Sequence, residues 1–391
     1  TTAFEKRVKS VKSPHSMQNN VSSQVNILNL GEFANYVTTK DITLVVEAKD
    51  SVNNLQNIQI WLNGVPLYGK EGKRISGKNY TENIKIDLVT GVNNIKIAAT
   101  NSMGMESLKS TMHINYENEK KPNLYIACIG VSDYKDDRFD LKYAAKDATD
   151  FMATMEKSGS FGTINKKLIT DAAVTKENIA TLKSFFEKAE RDDVVILFVA
   201  GHGVLDKNFD YYYATNDIDF DNPSARGLTY SELEKVLDQI KAIKKLLLMD
   251  TCHSGELDKE DVQEDLAINE EKDPNVTFRT AGAKISSSSS AVKTSLLVKE
   301  LFADIRQNSG TTVISSSSGL EFSMESEQWK NGLFTYCLIN GLQSKSADLD
   351  RDGFISVSEL QQYIKTTVYE KSGGRQIPTF RVQNIEMDFK L

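Results

Sequence analysis

The sequence predicts an antiparallel β-sandwich followed by a larger α/β domain whose mostly parallel sheet carries helices on both faces. Three observations lead to this. Residues 41–117 hold short runs in which apolar and other residues alternate. From residue 122 onward, continuous apolar runs alternate with helical stretches. Between the two lies Glu117-Asn118-Glu119-Lys120-Lys121-Pro122, a charged linker stopped by proline. A length of 391 residues suits two or three domains, and 40% hydrophobic content supplies more than one core.

Taken in order, residues 1–40 are polar and begin basic (Lys6, Arg7, Lys9, Lys12), which reads as a linker or arm. The chain opens Thr1-Thr2-Ala3 without methionine, so an upstream domain is a possibility the sequence leaves open. Within 41–117, Ile42, Leu44 and Val46 alternate, as do Ile58, Ile60 and Leu62 before the Asn63-Gly64 turn signal. Ile84, Ile86, Leu88, then Ile95, Ile97, Ala99, then Met112, Ile114, Tyr116 repeat the pattern. Period two with turns at this spacing gives a sandwich of about seven strands. The region resembles a bacterial immunoglobulin-like module. It has no cysteine pair, and His113 reads as a strand residue. A spacer, or a surface where an upstream domain or partner protein docks, is the expectation.

The α/β part runs 122–391. Leu124–Ile129, Val194–Val199 and Leu246–Met249 are unbroken apolar runs, expected for strands buried on both faces. Helices are expected near Ala144–Glu156 and Asn178–Ala189, with a short strand at Leu168-Ile169. Thr229-Tyr230-Ser231-Glu232 reads as a capping box opening another helix. Residues 256–291 break the pattern: acidic first, then serine-rich at Ser286–Ser290, a surface excursion. Helix–strand alternation resumes at Leu296–Ile305 and Thr312–Ile314, and two helical stretches, Leu333–Leu342 and Ser358–Glu370, flank an acidic loop. The division is therefore 122–255, a linker at 256–291, and 292–391.

Bulk properties exclude some classes of function. A net charge of −7 without a basic stripe argues against nucleic acid as partner. No apolar run approaches a membrane span. Three widely spaced cysteines make no disulfide framework and favour a reducing, cytoplasmic setting.

A thiol chemistry needs a cysteine and a histidine brought close in space. Cys128 sits inside the Leu124–Ile129 run and Cys337 inside the apolar helix Leu333–Leu338, so both read as core. Cys252 follows the strand Leu246–Met249, at the carboxyl end where parallel sheets place their sites. His202 follows Val194–Val199 and is flanked by Gly201 and Gly203. His253 is the rival base, but adjacent residues of extended chain point to opposite sides. Zinc lacks a Cys-x-x-Cys or a histidine pair at ligand spacing.

Leu197-Phe198-Val199-Ala200-Gly201-His202-Gly203 and Leu248-Met249-Asp250-Thr251-Cys252-His253-Ser254-Gly255 resemble the two catalytic motifs of the caspase–metacaspase superfamily. Gly130-Val131-Ser132-Asp133-Tyr134, Leu141 and Lys146-Asp147-Ala148 resemble its first strand and helix in bacterial members. Ser315–Glu321, Gly332-Leu333-Phe334-Thr335 and Gln376-Ile377-Pro378 resemble its small-subunit half. The resemblance covers about residues 122–391. It implies an α/β caspase-like fold and a cysteine endopeptidase acting on protein or peptide substrates through Cys252 and His202. It also implies an oxyanion hole from the backbone N–H groups of Gly203 and Cys252. In metacaspases, paracaspases and clostripain-like enzymes, acidic residues floor the pocket for the residue before the scissile bond. The matching positions are Asp250 and Asp147, which implies cleavage after arginine or lysine, with arginine preferred for its two-pronged fork. Ala200 stands where some metacaspases carry a hydroxyl. The alternative is a catalytically inactive caspase-like scaffold or interaction protein.

Two further expectations concern loops. Asp348-Leu349-Asp350-Arg351-Asp352-Gly353-Phe354-Ile355-Ser356-Val357-Ser358-Glu359 fits a twelve-residue EF-hand loop for Ca²⁺. Asp348, Asp350, Asp352 and Glu359 would offer carboxylates, Phe354 its carbonyl, and Ser356 a hydroxyl or a water. The excursion, with Arg279, Lys284 and Lys293 in or near it, is expected to be a site of autoprocessing.

Overall fold

A computed structural model describes residues 22–69, 71–206, 210–251, 276–279, 310–317, 323–381 and 388–391. The expected helix at Leu296–Ile305 and most of the excursion lie outside the described residues.

The N-terminal part is strand-rich. Strands β1 (Gln24–Ile27), β2 (Asp41–Lys49) and β4 (Asn79–Asp87) form one sheet in the order β1-β2-β4. Strands β6 (Ser110–Tyr116), β5 (Gly91–Asn101) and β3 (Leu55–Leu62) are neighbours in the second. Alternation decides which face turns inward. Leu44, Val46 and Ala48 of β2, Ile58, Ile60 and Leu62 of β3, and Ile95, Ile97 and Ala99 of β5 are all buried. His113 on β6 is exposed, an outer-face residue. One difference from the sequence reading is β1, which lies within the stretch read as an arm. Val25 and Ile27 are buried and β1 pairs with β2, but two apolar residues are too short a run to betray a strand.

The second part begins with β7 (Leu124–Gly130), α1 (Ala144–Met155) and β8 (Ile164–Thr170). Two short helices, α2 (Lys176–Ala180) and α3 (Leu182–Phe186), stand where one was expected. At the break, the Thr181 hydroxyl donates to the Asn178 carbonyl (2.6 Å) and the Ser184 hydroxyl to the Thr181 carbonyl (2.9 Å), so side chains compete for the helix acceptors. Then come β9 (Val194–Gly201), β10 (Gly203–Leu205), β11 (Tyr211–Tyr213), α4 (Tyr230–Leu237) and β12 (Lys244–Thr251). Helix α4 opens on the expected box: the Glu232 N–H donates to the Thr229 hydroxyl, and the Thr229 N–H to the Glu232 carboxylate. The described remainder includes β13 (Val276–Phe278), β14 (Thr311–Ser315), β15 (Met324–Ser326), β16 (Asn331–Gly332), α5 (Leu333–Gln343), α6 (Val357–Lys371) and β17 (Thr379–Arg381).

The main sheet runs β8-β7-β9-β12-β14-β17, parallel except for β17. All eight residues of β9 and all eight of β12 are buried, and the apolar runs Val194–Val199 and Leu246–Met249 lie within them. Strands β9 and β12 lie side by side with Ala200 opposite Asp250 and Gly201 opposite Thr251. The residues that follow these pairs in sequence are His202 and Cys252, so the sheet carries the two chain segments to the same end.

Candidate active site

His202 enters the site because Gly201 bends the chain. Gly201 has φ +147, and a Cβ there would lie 2.9 Å from the Tyr134 hydroxyl. That hydroxyl accepts the His202 backbone N–H at 2.9 Å. The imidazole is buried among Tyr134, Phe139 and Phe220, with ring centroids 5.3, 6.4 and 5.8 Å away. Its Nε2 lies 2.9 Å from the Phe139 carbonyl. A carbonyl only accepts, so Nε2 carries the proton and Nδ1 keeps its lone pair. Nδ1 is buried and has no hydrogen-bond partner among the described residues. Burial pushes the imidazole down to about 4, and the positive charge of Arg279 adds to this, against the opposing pull of the Phe139 carbonyl and Glu325. His202 is thus a neutral imidazole at pH 7, oriented on one nitrogen and, among the described residues, open on the other.

The expected nucleophile, Cys252, lies outside the described residues; the two other cysteines, Cys128 and Cys337, are buried, as read from the sequence. Gly203 opens β10, opposite Tyr213. The chain is described up to Thr251, whose surroundings are tightly specified. The Thr251 carbonyl accepts the Ser316 hydroxyl (3.1 Å), and the Thr251 hydroxyl meets that of Tyr211 (3.0 Å). Fully buried Gln376 ties the Met324 N–H to the Ser316 carbonyl. These contacts give physical roles to two motif pieces, the serine run and Gln376, that the sequence offered only as resemblance.

Asp147 and Asp250, far apart in sequence, are brought together. Asp147 is carried by α1, which approaches β7 so closely that a Cβ on Gly130 would sit 2.3 Å from the Ala144 carbonyl. Asp250 ends β12. Both are fully buried, and between them lies the guanidinium of Arg279, also fully buried. Arg279 Nη2 donates to Asp147, Nη1 donates to the Asp250 carbonyl (3.2 Å) and stands 3.4 Å from its carboxylate, and Nε donates to Glu325 (3.0 Å). Neutral donors hold the aspartates in place. Asp147 also accepts from the Asn331 amide (2.9 Å) and the Gly332 N–H (3.1 Å), and Asp250 from the Thr335 hydroxyl (2.6 Å). Gly332 is obligatory, since a Cβ there would lie 2.5 Å from Asp250 Oδ2. Burial pushes the Asp147 carboxyl up to about 7, against the pull of Arg279 and with help from the neighbouring charge of Asp250.

Sequence reasoning missed Tyr134, Phe139, Glu325, Asn331 and Gly332 as parts of the site. Tyr134 and Gly332 stand in stretches quoted for their resemblance, which was the available signal. Glu325 gives none: it lies on a three-residue strand without periodicity.

The loop expected to hold calcium brings its first three aspartates together. Carboxylate oxygens of Asp348, Asp350 and Asp352 lie within 4.8 Å of one another. Asp348 Oδ1 is buried without a hydrogen-bond partner among the described residues, and Gly353 turns the chain at φ +89. Glu359 instead accepts the N–H groups of Leu349 (2.8 Å) and Ser356 (2.8 Å), and Ser356 with Glu359 forms the capping box of α6.

Comparison with known proteins supplies a family. A family model described as "Caspase domain" matches residues 126–390. No curated protein matches the sequence. Among solved structures, a Geobacter sulfurreducens protein from structural genomics is 17% identical over 66% of this chain and 93% of its own, with a TM-score of 0.43. The fibronectin(III)-like modules of CbhA from Clostridium thermocellum are 15% identical over 24% of this chain and 97% of their own, with a TM-score of 0.19. No helix among the described residues is long and apolar enough to cross a membrane.

Proposed function

Because this chain belongs to the caspase family, a family of cysteine peptidases, we propose that it is an endopeptidase with Cys252 as nucleophile and His202 as general base, cutting after arginine or lysine. The observation that carries the specificity is the ring of buried carboxylates on a guanidinium, Asp147, Asp250 and Glu325. What supports the base is the neutral imidazole, fixed through Nε2 and free at Nδ1 among the described residues.

In this mechanism Nδ1 takes the thiol proton and the thiolate adds to the scissile carbonyl. The backbone N–H groups of Gly203 and Cys252, as the family resemblance implies, hold the oxyanion. The imidazolium returns its proton to the leaving amine, and water then releases the acyl group from sulfur. Asp147 and Asp250 bind the substrate cation, whose charge offsets the cost of keeping two carboxylates in a dry pocket.

Ca²⁺ is proposed for the loop at Asp348, Asp350 and Asp352, with the Phe354 carbonyl, Ser356 and Glu359 completing the donors. The orphaned Asp348 Oδ1 and the clustered oxygens fit a hard cation. Bound there, the ion would supply positive charge that ties the start of α6 to the end of α5.

The test is Cys252→Ala. It should abolish hydrolysis of an arginine-containing fluorogenic peptide while leaving thermal melting unchanged, and iodoacetamide should label Cys252 before the buried Cys128 and Cys337. A folded wild type that hydrolyses nothing would instead favour the scaffold alternative.

A further inference from the structure

Arg279 is the largest of the described side chains that are fully buried, and it comes from the excursion, not from the sheet or its helices. It follows directly on Val276-Thr277-Phe278 in the chain. These three residues form β13, which adds antiparallel to β15 with Thr277 opposite Glu325 and Phe278 opposite Met324. The Arg279 N–H continues the ladder to the Ser323 carbonyl at 2.9 Å. An extended segment that adds to a strand edge and sends a side chain into a pocket is bound as a peptide ligand is bound. We propose that Val276–Arg279 is the chain's own substrate seated in its own cleft, that Arg279–Thr280 is the first bond the enzyme cuts, and that Glu325 makes the pocket prefer arginine to lysine. This rests on the peptidase reading above and adds to it a defined occupant and a third pocket residue.

Glu325 discriminates by position. Its Oε1 is held by the Lys142 N–H (3.0 Å), which aims Oε2 at the arginine Nε (3.0 Å). Nε–H is a donor part-way along the side chain. Lysine has a methylene there and offers donors only at its tip. A lysine could satisfy Asp147 and Asp250 but would leave the buried Glu325 oxygen without a partner, and unmet buried acceptors are costly. Gly332 keeps the opposite wall bare, since a Cβ there would come within 2.9 Å of Arg279 Nη2.

The step balances without a co-reactant other than water. The Cys252 sulfur adds to the Arg279 carbonyl carbon, and the bond to the Thr280 nitrogen breaks. That nitrogen leaves as an amine with the proton carried by His202. Water then cleaves the thioester, leaving a carboxylate on Arg279 and restoring thiol and imidazole. Being tethered, the segment outcompetes peptides in solution until it is cut.

The experiment uses the full chain as wild type, Cys252→Ala, Arg279→Ala, Arg279→Lys and Glu325→Gln, each checked by melting. Intact mass and N-terminal sequencing follow self-cleavage, and fluorogenic peptides ending in Arg or Lys report turnover. We expect a new N-terminus at Thr280 in the wild type, none in Cys252→Ala or Arg279→Ala, and at least ten-fold slower formation in Arg279→Lys. Wild type should show a lag on external arginine peptide that Arg279→Ala lacks. Glu325→Gln keeps an acceptor for the Lys142 N–H; it should lower arginine turnover about ten-fold, the scale of one charged hydrogen bond, with lysine turnover changed less than three-fold. Cys252-dependent hydrolysis of arginine peptide without a Thr280 terminus would overturn the internal substrate alone. An unchanged Arg-to-Lys ratio in Glu325→Gln would overturn the discriminator. Absence of any hydrolysis, even in Arg279→Ala, would remove the peptidase reading and this inference together.

Discussion

His202, the proposed base, shows how much of an imidazole's character comes from what surrounds it. The ring's basicity falls to about 4 chiefly because it is buried, and further because of the positive charge on Arg279. Its folded value lies below that of the unfolded chain, so the unfolded state takes up the proton first, and folding stability drops as pH falls from about 6.5 toward 4. Taking Arg279 out of the pocket removes a repelling charge and admits water, and both changes raise the imidazole. In a Cys252→Ala background, NMR titration of His202 should therefore give a higher midpoint in Arg279→Ala than in the intact chain. An equal or lower midpoint would show that Arg279 does not act on the base. None of this was legible in the sequence beyond His202 itself, because the orienting contact is a backbone carbonyl. Any residue at position 139 would offer one, so no side-chain pattern marks it.

At the scale of elements, legibility followed burial. The runs 124–129, 194–199 and 246–249 were readable because strands covered on both faces tolerate only apolar residues. The ends of β9 and β12 were readable for the same reason, and they carry His202 and lead to Cys252. Strands β13, β15 and β16 were not, since two or three residues cannot establish a period. They build the wall of the pocket. The loop between α5 and α6 is a mixed case: spacing named its acidic residues, but not that Glu359 already caps α6. A bound Ca²⁺ has to compete for Glu359 with the N–H groups of Leu349, Asp350 and Ser356. It must also displace the Lys390 ammonium, 2.7 Å from Asp352. Both features predict weak affinity. Calorimetry should show one site, in the micromolar to millimolar range, that disappears in an Asp350→Ala, Glu359→Ala double variant. Calcium should raise the wild-type Tm by mass action. No heat and no shift at millimolar calcium would leave the loop an acidic turn.

At the scale of the molecule, the two parts meet at the end of the sheet opposite His202. Asp192, just before β9, accepts the Thr90 N–H (3.1 Å) and the Thr90 hydroxyl (2.6 Å) from the sandwich. It also pairs with Lys244 at the start of β12, where both side chains are largely buried. Nearby, Gly310, just before β14, packs so closely on Val65 that a Cβ there would lie 2.5 Å from Val65 Cγ2. An eight-residue strand spans roughly 25 Å, so this junction and the carboxylate pocket stand at opposite ends of β9 and β12. Among the described residues, these contacts tie the strand-rich part to the end of the sheet away from the pocket. Asp192→Ala removes the acceptor for Thr90 and the counter-charge of the mostly buried Lys244 ammonium, which keeps only the Asp192 backbone carbonyl (3.2 Å), a loss of about 2 kcal/mol. The variant should melt several degrees lower, with the early part of the transition belonging to the sandwich, while hydrolysis of an arginine peptide below that temperature stays within about two-fold of wild type. A ten-fold fall in hydrolysis at unchanged melting would mean that the junction acts on the pocket through the strands, and the separation of support from chemistry would have to be given up.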